Sequence, residues 1–310
     1  MRHLTPPGLL RPLSAFCLGV LVLFACEEPV DLQIDLPKSR LVITSSFVPH
    51  KPVVLAISAT RPRGDTVPTE ITDAHVTLFE GNTIAEELKY FPGKEGNGPG
   101  TYQTRDFVPE VGNQYTIHVS VPGYDPVTAV SSIPESVGIR SLTVSNLSWK
   151  EEPDEIVYDY VLTVDYADPE EEDNYYDLRV SQLVVPFEID GKGDTLLRPA
   201  YLKSVGTPLA AVEANRTVSL LLKDKPSANG AAMHLQSRLD PSRELLGRVV
   251  AELRTVSPEY YFYQRSLAFP GDFPNTGLEE PVILYNNVDR GLGVFAGYNS
   301  VESDLVLFSE

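Results

Sequence analysis

The chain has 310 residues, a formal net charge of −18 at pH 7 and a hydrophobic fraction of 42%. Such an acidic surface repels phosphate backbones and anionic headgroups, which argues against a nucleic-acid partner. The length is close to that at which one core gives way to two, so we expect two domains. Pro and Gly recur throughout and no long segment keeps a helical period, which predicts a mainly β fold.

Residues 1–25 have the anatomy of a lipoprotein signal peptide. Arg2 and Arg11 supply a basic start, an apolar stretch follows, and the small residue Ala25 directly precedes Cys26. A membrane-spanning helix needs about 20 apolar residues, and this stretch is shorter. We therefore predict that the segment is a cleaved signal and not a membrane span.

Cys26 is the predicted lipid attachment site. The preceding residues resemble the bacterial lipobox, in which a diacylglyceryl group is attached to the cysteine sulfur before cleavage. The alternative is a plain secretory signal that leaves a free thiol at Cys26. Two or more acyl chains anchor a protein stably where one chain is marginal. Because Cys17 leaves with the signal, the mature chain cannot form an internal disulfide.

Residues 26–37 are predicted to be an extended tether between the lipid and the first domain. They alternate acidic and aliphatic side chains, end at Pro37 and contain no turn or helix signal. The alternative is an edge strand of the first sheet.

Residues 38–134 are predicted to form an antiparallel β-sandwich, either immunoglobulin-like or transthyretin-like. Short segments alternate apolar and polar residues and are separated by turn residues. This alternation predicts inward-facing side chains in three segments: Val53, Leu55, Ile57 and Ala59; Ala74, Val76 and Leu78; Tyr115, Ile117, Val119 and Val121.

Residues 135–310 are predicted to form a second β-rich domain. The alternation over 156–166 predicts a long strand. Residues 190–194 contain acids and glycines but lack the terminal bidentate Glu of a calcium-binding EF-hand, so we predict a hairpin turn. Ser257 as N-cap and Pro258 at the first helical position predict one short helix near the C-terminus.

Gly291–Ala296 fits the dinucleotide-binding fingerprint G-x-G-x-x-G/A. Only 14 residues follow it, so the βαβ unit that the motif requires cannot be built. We interpret these glycines as a tight hairpin and a close backbone approach in a terminal strand pair.

No catalytic, cofactor-binding or metal-binding residue is predicted. The histidines are isolated, and His75 and His118 fall on the outward sides of predicted strands, where surface histidines are expected. Nucleophile-elbow, zinc-protease and phosphate-loop motifs are missing from the sequence. The acidic run 168–173 is interpreted as a solvated loop, with calcium or a basic partner as the alternative.

Several segments, in their order along the chain, resemble a known family. These are the Cys-Glu-Glu start with "VDL", then "LVITSSFV", "DAHVTLFEG", "GTYQT", "GNQYTIHVSVPGY", "NYYDLRV", "VSPEYYFYQRSL" and "EEPVILYNNVDRGLGVFAGYNS". The chain is similar to Bacteroidota outer-membrane lipoproteins of the family named domain of unknown function 4249 (DUF4249). The resemblance covers nearly the whole mature chain.

The resemblance implies a cell-surface protein that is lipid-anchored in the outer membrane and accompanies a TonB-dependent β-barrel receptor. In this phylum, acids just after the lipidated cysteine look like a signal for export to the outer leaflet, and Glu27 and Glu28 match that pattern. The family has no established activity, so the ligand is unknown and no cofactor is expected.

Two hypotheses of function follow. The first is a non-catalytic accessory subunit that binds a partner or nutrient for the transporter. The second is a structural or adhesive surface lipoprotein without a transported ligand. An enzyme is the third and weakest reading. Exposed aromatics such as Phe79, or one residue of the pair Tyr175 and Tyr176, are candidates for ligand contact, with the other residue of the pair expected in the core.

Substituting Cys26→Ser is expected to abolish incorporation of radioactive palmitate in the native host, because the sulfur that carries the lipid is removed. Cys17→Ser is the matched control and should leave labelling unchanged, since Cys17 departs with the signal. A wild-type chain that stays unlabelled and collects in the culture supernatant would contradict lipid anchoring.

Overall fold

The computed structural model describes residues 38–61, 70–93, 98–169, 173–206, 219–223, 230–268 and 284–307. The predicted signal peptide, the predicted tether, Cys26, Glu27 and Glu28 lie outside these residues. Ser39–Glu310 forms one compact unit, and the following description concerns that unit. Among the described residues, no helix is long and apolar enough to cross a membrane.

The first half of the unit consists of short strands with alternating burial. They are β1 (Leu41–Phe47), β2 (Val54–Ala59), β3 (His75–Glu80), β4 (Thr83–Glu87), β5 (Lys89–Phe91), β6 (Thr101–Gln103), β7 (Gln114–Ser120) and β8 (Val127–Ser132). The predicted inward residues of β7 are buried, and its His118 and Ser120 are exposed. The period-two prediction is confirmed in β2 and β7, where one face packs on a core. In β3, Thr77 is buried together with the predicted inward residues Val76 and Leu78.

The second half contains longer strands and one helix. They are β9 (Ile139–Glu151), β10 (Ile156–Tyr166), β11 (Tyr175–Ile189), β12 (Thr195–Leu197), β13 (Tyr201–Ser204), β14 (Ser219–Lys223), β15 (Gly230–Leu239), β16 (Glu244–Val256), α1 (Pro258–Ala268), β17 (Val288–Asp289) and β18 (Leu292–Val306). The predicted long strand over 156–166 is confirmed as β10.

The described strands form three sheets. The large sheet has the order β12-β11-β16-β18-β1-β2-β6-β5, with β13 and β14 also paired to β11. The other two have the orders β17-β8-β7-β3-β4 and β15-β10-β9. One core contains side chains of β1 to β8, and a second contains side chains of β10, β11, β15 and β16. The predicted fold class, mainly β with antiparallel sandwich-like sheets and a helix near the C-terminus, is confirmed.

β18 contributes to both cores. Its residues 292–297 pair in parallel with β1, and its residues 298–306 pair antiparallel with β16. Phe295 stacks on Phe47 in the first core with ring centroids 4.5 Å apart, whereas Leu305 packs against the second core. The domain boundary predicted after residue 134 stays a prediction.

The glycines of the Gly291–Ala296 motif allow backbones to approach closely, as predicted. Gly293 has a φ of 107°, and a Cβ on it would lie 1.9 Å from the carbonyl oxygen of Ile43. A Cβ on Gly297 would lie 2.2 Å from the carbonyl oxygen of Ser132. The predicted hairpin is wrong, because β17 pairs with β8 and the turn therefore leads from one sheet to another.

The predicted N-cap of α1 is confirmed. The hydroxyl of Ser257 accepts a hydrogen bond from the Tyr260 N–H at 3.3 Å, which satisfies one of the donors left free at a helix start. Tyr260 and Tyr261 are buried against Val294 and Ala296 of β18. The helix thus covers the outer face of the large sheet, on the side away from the cores.

Substituting Gly293→Ala is expected to lower the free energy of unfolding by at least about 3 kcal/mol, because the added Cβ collides with β1 and a positive φ is costly for L-residues. Urea unfolding measures the change. Gly138→Ala is the matched control, since a Cβ there meets nothing within 4 Å, and it should change stability by less than about 0.5 kcal/mol. Equal effects of the two substitutions would contradict the close approach.

Candidate functional site

His75 and His118 lie on the outer face of the sheet formed by β17, β8, β7, β3 and β4, as predicted for surface histidines. The His118 ring lies 4.9 Å from the ring of Phe79, and His75 Nε2 lies 3.8 Å from Glu87 Oε1. Both histidines border a shallow depression of about 250 Å³. Across the described ranges, no group of three or more His, Cys, Asp or Glu side chains is placed to hold a metal ion.

An Asp–His pair lies on the outer face of the sheet formed by β15, β10 and β9. Asp159 accepts a hydrogen bond from Gln236 Nε2 at 2.9 Å and also forms a hydrogen bond with His234 Nε2. These two hydrogen bonds lower the pKa of Asp159. Because the carboxylate is already held by both neighbours, the pair is best explained as a cross-strand contact.

A buried polar network lies beneath α1. Asp177 is fully buried and accepts hydrogen bonds from Arg179 Nε at 2.9 Å and from the Tyr260 hydroxyl at 2.8 Å. Arg254 donates to Glu252 at 2.7 and 2.8 Å. Burial and the nearby Asp177 raise the pKa of Tyr260, which keeps its hydroxyl protonated and donating. The members satisfy one another, so the network fastens the helix to the sheet.

The aromatic candidates for ligand contact are used in packing. Tyr176 is fully buried in the second core, as expected for one residue of the adjacent pair. Tyr175 packs against Tyr261 of α1, with ring centroids 4.7 Å apart. Phe79 is half-buried beside His118.

The predicted hairpin turn between β11 and β12 is confirmed. Asp190 Oδ1 accepts hydrogen bonds from the backbone N–H groups of Lys192 at 2.8 Å and Asp194 at 2.9 Å. These bonds lower the pKa of Asp190. Gly193 has a φ of 89°, which its lack of a Cβ permits. The turn places β12 beside the end of β11.

An apolar surface covers the outer side of this end of the large sheet, and we call it the distal apolar face. Three directly opposed strand pairs build it: Leu183 with Leu202, Val185 with Leu245, and Phe187 with Leu197. Opposed residues in antiparallel strands project from the same face, and so do alternate residues of one strand. Ile189 completes the row on β11. The face therefore comprises seven apolar side chains from four strands.

The distal apolar face is open to solvent. Ile189 is 65% exposed, Leu197 63%, Leu202 54% and Leu245 46%. Large contiguous apolar patches are rare on the surfaces of monomeric proteins and mark interaction sites. Because its seven apolar side chains adjoin and four of them are exposed, the distal apolar face is the strongest candidate functional site among the described residues.

A polar clamp on the other side of the sheet holds the face in place. Glu244, at the start of β16, accepts hydrogen bonds from the Tyr201 hydroxyl at 2.7 Å and from Lys203 Nζ at 2.9 Å, both on β13. Because β11 lies between these two strands, the clamp fixes β13 and β16 relative to each other. Their neighbouring residues Leu202 and Leu245 are thereby positioned on the outer side.

The end of the sheet that carries the face is electrically balanced, although the chain as a whole is strongly acidic. Segments 183–203 and 240–248 carry five acidic and five basic side chains: Glu188, Asp190, Asp194, Asp240 and Glu244; Lys192, Arg198, Lys203, Arg243 and Arg248. A partner that approaches this end therefore meets little net charge.

The face lies far from the point where the chain enters the unit. Val42 of β1 is opposite Leu292, the first residue of β18. β18 is 15 residues long and ends at Val306, opposite Arg248, and Leu245 lies beyond. At about 3.3 Å per residue, the entry point and the face are roughly 50 Å apart.

Sequence reasoning missed this face. The segment 183–187 has apolar residues at both odd and even positions, so a period of two could not show which side is buried. The available signal was apolar Ile189, after Glu188 and next to a turn where polar residues are expected, followed by a second apolar pair at Leu196 and Leu197.

Comparison with known proteins identifies a family. A family model described as "Domain of unknown function (DUF4249)" matches residues 27–304. No curated protein matches the chain. One solved structure, described as "Chaperone-tip adhesin complex is vital for synergistic activation of CFA/I fimbriae biogenesis", is 7% identical, and the match covers 71% of this chain and 77% of that one with a TM-score of 0.20. A score this low carries no argument.

Substituting Glu244→Gln is expected to lower stability at pH 7 by about 1–2 kcal/mol. Desolvation alone would raise the pKa of Glu244, but hydrogen bonds from Tyr201, the Asp240 N–H and Lys203 outweigh it and lower the pKa. A carboxylate with a lowered folded-state pKa stabilises above its unfolded pKa, and this contribution is lost as the pH falls through the folded pKa. The difference in urea unfolding should therefore shrink in acid.

The control is Glu188→Gln, because the Glu188 side chain is 62% exposed in its pair with Arg198 and such pairs contribute little. A difference between Glu244→Gln and wild type that stays constant from pH 7 down into acid would contradict the role of the carboxylate charge.

Proposed function

The chain belongs to the DUF4249 family, and from this premise we propose that it is a lipid-anchored outer-membrane protein on the cell surface. In this proposal it is a non-catalytic subunit that binds a protein partner for a TonB-dependent transport system. The single observation that carries the binding role is the distal apolar face, with four side chains between 46% and 65% exposed.

The proposed anchor makes a modest apolar face sufficient for binding. A lipid on Cys26 would confine the protein to the membrane that also holds the receptor. Confinement raises the effective concentration of the two partners, so a weak contact can be occupied most of the time. The balanced charge around the face fits such a contact, because neither partner must overcome the acidity of the whole chain.

The occupant we propose is protein and not the anchoring bilayer. The chain as a whole carries a net charge of −18, which disfavours contact with anionic headgroups. The extracellular part of a neighbouring receptor would supply the apolar and uncharged surface that fits the face.

Detergent extraction from the native host, with an affinity tag on this protein, is expected to recover a β-barrel receptor identifiable by mass spectrometry. The double substitution Leu197→Asp and Leu202→Asp should reduce that recovery at least about tenfold, because charged groups would be buried at the contact. Ile84→Asp is the matched control, since Ile84 is 60% exposed on β4, in another sheet.

Repeated recovery of the wild-type protein alone, or equal recovery with the double variant, would contradict the proposal. Deletion of the gene distinguishes the transport role from the remaining alternative, a structural or adhesive surface protein. A growth defect on one nutrient supports the transport role, whereas altered attachment or envelope integrity would support a structural or adhesive protein instead.

A further inference from the structure

The second sandwich is open along one side. β9 is the last strand of its sheet and pairs with β10, and no described strand pairs with its other edge. On the facing sheet, β18 beyond Tyr298 pairs only with β16 among the described strands. β9 contacts β18 across the sandwich. The two sheets thus end on the same side.

The open side leaves part of the core at the surface. Leu142, Val144 and Leu147 of β9 and Leu305 of β18 pack against the second core but are only half-buried. An additional strand beside β9 would cover these side chains. Removing these side chains from water is favourable, which favours an occupant that also has apolar side chains.

The exposed edge of β9 is unusually free of charge. Residues 141–149 are uncharged in a chain in which 22% of residues are charged. Natural edge strands normally carry charges that prevent pairing with other chains. Here Arg140 and Lys150 lie only at the two ends of the uncharged stretch.

A bulge restricts where another strand can pair. The register between β9 and β10 shifts after Ser145, and Asn146 has a φ of 54°. From Ser141 to Ser145 the register is regular, with Leu142 opposite Val164 and Val144 opposite Leu162. The bulge therefore confines regular pairing to about five residues and hinders the long edge-to-edge contacts that lead to aggregation.

We propose that the Ser141–Ser145 edge of β9 binds an extended segment of another protein by strand addition. Only an extended backbone satisfies a row of alternating N–H and C=O groups, and its side chains then alternate between the two faces. Apolar residues at alternate positions cover Leu142 and Val144 on the core side. An acidic residue at the flank meets Arg140. This site is separate from the distal apolar face and does not depend on the proposed function.

The probe is a synthetic peptide of alternating valine and threonine with glutamate at both ends, labelled for fluorescence anisotropy. Its control is the same peptide with a central proline, which cannot complete the pairing. We expect the first peptide to bind in the micromolar range and the control at least about tenfold more weakly. Binding should also protect from hydrogen exchange the outward-pointing backbone amides of 141–145, which do not bond to β10.

Two proline variants test the edge in the protein itself. Successive N–H groups of a strand point to opposite edges. One of the substitutions Thr143→Pro and Val144→Pro therefore removes an N–H that points to the open edge, and the other removes an N–H that points toward β10. The variant that stays folded, by circular dichroism and urea unfolding, should bind the peptide at least about tenfold more weakly than wild type. Leu197→Asp with Leu202→Asp should bind normally, which separates this site from the distal apolar face.

Three results would overturn the proposal. The first is no binding of the probe to the wild-type protein, and the second is unchanged binding by the folded proline variant. The third is a wild-type dimer in light scattering whose outward-pointing amides of 141–145 are already protected from exchange, because a second copy would then occupy the edge.

Discussion

The parallel pairing of β1 with β18 is the contact on which both cores depend. β18 brings Phe295 to the first core with its leading half and Leu305 to the second core with its trailing half. The pairing requires the backbones to approach at Gly293, where any Cβ would collide with Ile43. A single strand therefore couples two sandwiches that are otherwise built from separate segments. A substitution that displaces the start of β18 is expected to destabilise both cores.

The same strand sets the geometry of the candidate site. Because β18 is continuous, the large sheet extends from the entry of the chain to its far end, where β11, β12, β13 and β16 form the distal apolar face. The Glu244 clamp fixes these strands from the inner side. Within the unit, β1 and the start of β18 therefore lie at one end of the large sheet and the distal apolar face lies at the other.

Local sequence signals predicted the local structure well. Alternation in β7 identified its buried residues, alternation in β10 identified a long strand, and Ser257 with Pro258 located the helix, because each signal acts within a few residues. The dinucleotide-like glycines were correctly interpreted as a close approach, but the partner strand was not predictable, since β1 lies some 250 residues earlier in the chain.

The distal apolar face could not be predicted for a related reason. Leu183, Leu202 and Leu245 come from three distant segments, and only the register of β11 with β13 and β16 brings them to one side. The run 183–187 is apolar at both odd and even positions, which resembles a strand buried on both sides. An apolar residue stays exposed when no other segment of the chain packs over it. The sequence around that residue carries little information about such distant segments.

The late position of β18 also affects how the chain folds. The first sandwich lacks one of the two neighbours of β1 until β18 has been synthesised, so neither core can be completed before then. Contacts between such distant segments make folding slow, because a long loop must close first. A polypeptide built this way reaches its final packing only after β18 has been synthesised, so removal of this one late strand would leave both cores incomplete.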